Sequence, residues 1–160
     1  MSGSPLISRP AAPASPSAST LAGDGWWPDI DCTAMREALR IGEAVTHPRL
    51  VAALENAFID VTGDLADWRA GWEQAGRASL DAVKPGETVN GRTRLAVLFT
   101  NAVRYGAAAE LADHTTDMSA TASDETRAEA KRATACDYDA RRLAAVRTIL
   151  GVTRVAVELI

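Results

Sequence analysis

The spacing of apolar residues over positions 47–76 constrains the fold of this 160-residue chain more than any other feature. Apolar side chains recur there every three or four residues, which places them on one side of a helix. Thr46 suits the helix start, Pro48 its first turn and Gly76 its end. The pattern predicts one long helix whose stripe, including the two tryptophans, packs in a core or interface. The stripe comprises Leu50, Leu54, Ala57, Phe58, Val61, Leu65, Trp68, Trp72 and Ala75.

Three further helical patterns, over 32–41, 92–113 and 124–150, complete the predicted fold class: all-α, a small bundle of about four helices. Segment 77–91 contains Pro-Gly and Asn-Gly and is predicted to be a loop. Gly106 lies among alanines in the middle of the third helix, where glycine is unfavourable, so we expect another helix to approach closely there. A core this rich in alanine is thin and favours contacts with neighbouring subunits.

Capping residues mark the helix ends. The first helix can begin at Asp31 or Thr33, with Glu37 completing a capping pattern, and the last at Ser123. Two glycines are predicted to end these two helices, Gly42 and Gly151.

The two ends of the chain differ from the helical domain, which we place at 26–150. Residues 1–25 are rich in Pro, Ser and Ala and are predicted to form an extended arm that is disordered when alone. Residues 151–160 have a β-type composition and are predicted to be the chain's one convincing strand, in which Val152, Val155, Val157 and Leu159 are apolar and Thr153, Arg154 and Glu158 lie between them. A lone strand needs a partner, so we expect this tail to pair with another chain.

The stretch GWWPDID places two adjacent tryptophans between the arm and the first helix. Adjacent residues of an extended segment point to opposite sides, so we expect one tryptophan to anchor the domain and the other to face a neighbouring subunit. The predicted subunit interface comprises Trp26, Trp27, Pro28, Asp29, Ile30 and Asp31.

The sequence offers little for catalysis. It has no phosphate-binding loop, dinucleotide fingerprint, zinc-protease or nucleophile-elbow motif. Cys32 and Cys136 are interpreted as free thiols in a reducing compartment. His47 and His114 fall at predicted helix ends, where capping or surface roles are usual. We therefore predict no catalytic residues, no metal and no cofactor.

Charge and hydropathy exclude further classes. A net charge of −4 argues against a protein that grips nucleic acid through its phosphates. Asp29 and Asp31 resemble a metal-binding pair, but a turn and a helix cap explain them better. No apolar run is long enough for a membrane span, and no secretory signal is evident, so synthesis in the cytoplasm is expected.

Eight segments follow one another in a characteristic order between residues 26 and 160. They are the aromatic pair with PDID, MREALRI, THPRLVAALENAF, DLADWRAGWEQAG, NGRTR, AVRYGAAAEL, DARRLAAVRTIL and VAVELI. In this order and spacing they resemble the head completion proteins of P2-like tailed bacteriophages, the GPL family.

The resemblance implies a structural adaptor of the head–tail connector in the virion, typically a twelve-fold ring of identical helical subunits. Such a ring joins the portal protein after DNA packaging and offers a docking surface to tail-side completion proteins, while DNA passes without specific binding. The resemblance also implies that the C-terminal segment of the chain, residues 151–160, docks on the portal. The predicted portal-binding residues are Val155, Ala156, Val157, Glu158, Leu159 and Ile160.

Two other function classes stay open at this point. A small-terminase-like module that binds nucleic acid is the main alternative, and its basic cluster would be Arg141, Arg142 and Arg147. An enzyme is the third hypothesis, and no motif supports it.

Overall fold

A computed structural model describes residues 16, 18–42, 44–117 and 125–151. This part of the chain is mostly helical, with only two very short strand pairs, which confirms the all-α prediction. The elements in chain order are β1 (Thr20–Leu21), β2 (Ile30–Asp31), α1 (Cys32–Ala38), α2 (His47–Asp64), α3 (Ala66–Gln74), α4 (Leu80–Val83), β3 (Thr88–Val89), β4 (Arg92–Thr93), α5 (Arg94–Asp117) and α6 (Glu125–Leu150).

Helix α1 begins as predicted but ends early. The Asp31 carboxylate accepts hydrogen bonds from the N–H groups of Thr33 and Ala34, both at 2.9 Å, which confirms it as the N-cap. The predicted end at Gly42 is wrong, because Arg40 already turns the chain with a φ of 51°. The Arg36 guanidinium satisfies the carbonyls that follow, including that of Val45 at 3.0 Å.

The predicted single helix over 47–76 is two helices, which is a correction. α2 ends at Asp64 and α3 starts at Ala66, with the chain bending at the fully buried Leu65. Thr62 donates its hydroxyl proton to the carbonyl of Ile59 at 3.0 Å, and Gly63 follows it. Both features weaken a helix, so the bend falls where local preference is lowest. The predicted stop at Gly76 is confirmed by its φ of 79°.

Segment 77–91 is more ordered than the predicted loop. It contains the one-turn helix α4, where the Ser79 hydroxyl caps the N–H of Ala82. It also forms a hairpin in which β3 pairs with β4. Asn90 and Gly91 both have positive φ, the geometry that an Asn-Gly turn favours. Because the hairpin extends to Thr93, α5 begins at Arg94 rather than at residue 92 and reaches Asp117 rather than 113.

Helices α5 and α6 form the largest contact between elements of the domain, and α2 packs on α5. Gly106 confirms its prediction: a Cβ there would lie 2.9 Å from the Cβ of Ala57 and 3.2 Å from the Cδ of Arg142. The core between these helices is built largely of small residues around Phe99, and Gly151 ends α6 with a φ of 75°.

The last residues of the predicted arm lie against the domain. β1 pairs antiparallel with β2, and the carbonyl of Ser19 accepts the N–H of Cys32 at 2.8 Å. The prediction that the tail holds the chain's only strand is therefore wrong, since two strand pairs exist in the described residues. The predicted tail strand beyond residue 151, the arm before residue 16 and the Ser123 cap lie outside them.

Candidate functional site

Both tryptophans of the GWWPDID stretch are buried in their own domain, at 5% and 3% exposure. The expectation that one of them faces a neighbour is wrong. Trp27 stacks on Phe99, with ring centroids 4.7 Å apart, and Trp26 meets Trp68 edge-on at 6.1 Å. Opposite directions for the two rings require an extended segment, whereas residues 24–27 form a turn in which Gly25 has a φ of 87°. We call Trp26, Trp27, Trp68 and Trp72 the tryptophan corner.

Asp24 closes that turn. One carboxylate oxygen accepts the N–H groups of Trp26 and Trp27, each at 3.0 Å, and the other is paired with Arg69. Partial burial raises the pKa of the Asp24 carboxyl. The hydrogen bonds from the Trp27 N–H, Arg69 and the Trp26 N–H outweigh burial, so its pKa lies below the ordinary value. The carboxylate thus locks the corner onto α3.

Arg69 completes this network from the α3 side. Its guanidinium lies 5.1 Å from the Trp26 ring centre and forms a second ion pair with Glu73 at 2.8 Å. Burial lowers the pKa of Arg69, but its hydrogen bonds to Asp24 and Glu73 raise the pKa by more. Arg69 is therefore a fixed structural cation rather than a free basic group.

The remaining residues of the stretch are also structural within the chain. Asp29 accepts the N–H of Gly23 at 2.8 Å, Ile30 is fully buried, and Asp31 caps α1. The two aspartates thus bond separate backbone groups, as the turn-and-cap interpretation predicted. No group of three potential metal ligands occurs among the described residues. The wider assignment of residues 26–31 to a subunit interface stays a prediction.

The cysteines and His47 do not assemble a reactive centre. Cys32 is buried and Cys136 exposed, and neither is in a disulfide. His47 Nε2 lies 3.0 Å from the Ser19 hydroxyl, but its buried Nδ1 has no hydrogen-bond partner in the described part of the chain. A serine–histidine pair without a group to orient the ring is better explained as a structural contact between the residue before β1 and the start of α2.

The outer face of α2 is the first exposed surface with distinctive chemistry. Ile59 is 66% exposed, more than any other large apolar side chain in the described residues. It lies between the exposed acids Glu55 and Asp60 on α2. We call Glu55, Ile59 and Asp60 the acidic α2 face.

A cleft of about 390 Å³ adjoins this face. Its lining residues are Asp24, Trp27, Phe58, Ile59, Thr62, Gly63, Ala66 and Arg69. The sequence carried a signal for this surface, because Ile59 falls off the apolar stripe and no basic residue occurs between Arg49 and Arg69.

The second distinctive surface lies on α5 and α6. Tyr105 and Tyr138 stack with centroids 6.2 Å apart, and the guanidinium groups of Arg104 and Arg141 lie 5.0 and 5.8 Å from the Tyr105 ring centre. We call these four residues the tyrosine–arginine patch. Neither arginine has a carboxylate partner among the described residues, so the patch is basic and aromatic.

The three arginines of the predicted basic cluster on α6 lie in different environments. Arg142 forms ion pairs of 2.8 Å with Asp139 and with Asp64 of α2. Burial lowers the pKa of Arg142, and its hydrogen bonds to these two aspartates raise the pKa by more. Arg142 therefore fastens α6 to α2, while Arg141 and Arg147 stay exposed.

The predicted portal-binding residues Val155–Ile160 lie outside the described residues. Within the described part, none of the helices has both the length and the apolar character needed to cross a bilayer.

Comparison with known families gives one clear result: the model of the family described as phage head completion protein (GPL) matches residues 21–160. The chain therefore belongs to this family. A search of curated proteins and a search of solved structures each found no match. A structural role in the phage head follows from the family, and so does a place in the virion among other head and tail proteins.

Proposed function

We propose that this head completion protein is a structural adaptor of the head–tail connector and has no catalytic role. Copies of the chain form a ring under the portal after DNA packaging, stabilise the filled head and present a docking surface to tail-side completion proteins. The observation that carries the proposal is the family match over residues 21–160, almost the whole chain.

Features of the described residues support a ring subunit. The acidic α2 face and the tyrosine–arginine patch offer two chemically different surfaces, which a head-to-tail ring requires. The net charge of −4 suits a channel wall that lets DNA slide, since fixed positive charge would retain its phosphates.

The tail of the chain is the proposed attachment to the portal. In residues Val155–Ile160 every position except Glu158 is apolar, a composition that favours a strand, and the segment can add that strand to a sheet edge of the portal protein. Deleting these six residues should leave the far-UV circular dichroism of the helical domain unchanged and abolish co-purification with the portal. Deletion of residues 1–15 is the control for shortening the chain at its other end. Equal portal attachment of the tail deletion would refute this docking mode.

The alternative of a nucleic-acid-binding packaging module has lost its main support. Of its three predicted arginines, Arg142 is committed to Asp64 and Asp139. Salt-dependent retardation of short duplex DNA by the purified protein would revive it.

A phage carrying a null allele tests the proposed function. We expect packaged heads that fail to retain DNA or to join tails, with both defects repaired by supplying the wild-type protein. Mass spectrometry should find the protein in mature wild-type particles. Infectious particles that lack the protein would overturn the proposal.

A further inference from the structure

We infer that the acidic α2 face of one copy receives the tyrosine–arginine patch of a second copy. This inference rests on the proposed ring and names the surfaces that would form its subunit contact. Each surface combines an apolar or aromatic centre with charged neighbours, and the charges of the two surfaces are opposite.

The acidic side is defined by charge segregation along α2. Between Arg49 and Arg69 the chain carries Glu55, Asp60, Asp64 and Asp67 and no base. Asp64 is paired with Arg142, whereas Glu55 and Asp60 are exposed and have no ion-pair partner among the described residues. They flank Ile59, which is two-thirds exposed, so this face presents an apolar centre with an acidic rim.

The basic side is defined by the opposite segregation. Between Glu87 and Glu110 the chain carries only the bases Arg92, Arg94 and Arg104, and between Asp139 and the end of α6 only arginines. Asp137 lies one turn before Arg141 but makes no ion pair with it.

Within the basic side, Arg104 and Arg141 lie by the half-buried Tyr105 and Tyr138 rings. This surface presents an aromatic centre with a basic rim, a composition common in protein interfaces.

The centre of the acidic α2 face is directed away from the tyrosine–arginine patch of its own chain. Ala57 of α2 packs against Gly106 of α5, so that side of α2 faces the α5–α6 pair. At about 100° per residue, Ile59 lies roughly 200° and Glu55 roughly 160° from Ala57, so both face away from the pair, whereas Asp60, roughly 60° from Ala57, lies at the near edge of the face. Contact of Ile59 and Glu55 with the patch therefore needs a second copy, and it is heterologous, the type that closes into rings.

A duplex DNA partner explains the two surfaces less completely. It would account for Arg104 and Arg141 but would leave the exposed Ile59 and its acidic rim without a role. A second copy uses both surfaces, and rim charges of opposite sign guide and align such a contact.

Charge reversal on one surface at a time tests the inference. One variant carries Glu55→Arg with Asp60→Arg, and the other carries Arg141→Glu. Native mass spectrometry measures the number of copies bound to the purified portal, and circular dichroism confirms folding. Each variant alone should occupy the portal roughly tenfold less well than the wild type, because like charges then meet at every contact.

An equimolar mixture of the two variants is the decisive arm. Each variant offers the other an opposite charge at both contacts, so occupancy should return to within about threefold of the wild type. Glu37→Arg and Arg49→Glu reverse exposed charges outside both surfaces and should assemble normally.

Normal assembly of both variants, or a mixture that is no better than either, would overturn the inference. The inference would also be contradicted if Arg141→Glu weakened binding to duplex DNA but left assembly on the portal unchanged. A wild type that binds the portal as single copies would contradict the proposed ring itself, which separates the two failures.

Discussion

The tryptophan corner and the α5–α6 pair are held together in different ways. The corner joins residues far apart in sequence, Asp24 with Arg69 and Trp27 with Phe99, through a few large or charged side chains. The helix pair relies on many small residues along helices of 24 and 26 residues, with Gly106 at the crossing of α2. The largest apolar side chains therefore close the domain, and the exposed surfaces available for assembly lie on the helices.

Replacing Trp27 should have the largest effect on the stability of the domain. Trp27→Ala removes a buried ring stacked on Phe99 and should lower the free energy of unfolding by about 3–5 kcal/mol, because the rigid surroundings leave a cavity. Urea denaturation followed by circular dichroism measures the change. Trp72→Ala, at a half-buried position of the same corner, is the control and should cost clearly less. An equal loss of unfolding free energy in the two variants would mean that burial does not determine how much each tryptophan of the corner contributes to stability.

The close approach at Gly106 comes second. Gly106→Ala gains about 1 kcal/mol of helix propensity, but its new Cβ would lie 2.9 Å from that of Ala57. Overpacking of this kind costs about 1–3 kcal/mol, so we expect net destabilisation by roughly 1 kcal/mol. When Ala57→Gly is combined with Gly106→Ala in the same chain, thermal unfolding should show that part of this destabilisation is relieved. A stabilised Gly106→Ala protein would show that α2 can move away without cost.

Loss of the Asp24 carboxylate, which bonds Trp26, Trp27 and Arg69, should have a smaller effect on stability, and this effect should depend on pH. Because the folded-state pKa of Asp24 is depressed, its stabilisation is complete above the unfolded-state value of about 3.9 and is lost as the pH falls through the folded-state value. Because the Asp24 side chain is 47% exposed, water screens its interactions, so Asp24→Ala should cost only about 1 kcal/mol at pH 7 and almost nothing at the lowest pH where the protein folds. Unfolding curves across this range measure it, with the exposed Glu37→Ala as control. A cost independent of pH would show that the charge of Asp24 does not matter.

The smallest effect on stability is expected on the acidic α2 face. Ile59→Ser changes a mostly exposed side chain and should alter the free energy of unfolding by less than about 0.5 kcal/mol. The same change should reduce occupancy of the portal, since Ile59 is the apolar centre of the proposed contact. A large loss of stability would instead place Ile59 in the fold of its own domain.

Local signals in the sequence predicted much of the fold. The three- and four-residue spacing located α2, the Asp31 carboxylate capped α1, and Gly106 marked a close helix crossing. The Asn90–Gly91 pair indicates a turn, and the same pair favours the hairpin in which β3 and β4 are joined. These features depend on residues within a few positions of one another.

Features set by distant contacts were not predictable in the same way. The inward direction of both Trp26 and Trp27 depends on Asp24 and on Arg69, which lies more than forty positions away. The edge-on contact of Trp26 with Trp68 of α3 likewise joins residues that lie more than forty positions apart. The acidic α2 face is visible in the sequence as a run without bases, but its exposure follows only from the packing of Ala57 on Gly106.

The most direct test of the connector role is the mass of the purified portal with and without this protein, measured by native mass spectrometry. The proposal predicts that the portal ring gains many copies, with about one copy bound for each portal subunit. It further predicts that raising the salt concentration lowers this number, because opposite charges meet between copies. A portal whose mass does not change, or that gains only a single copy, would contradict the connector role.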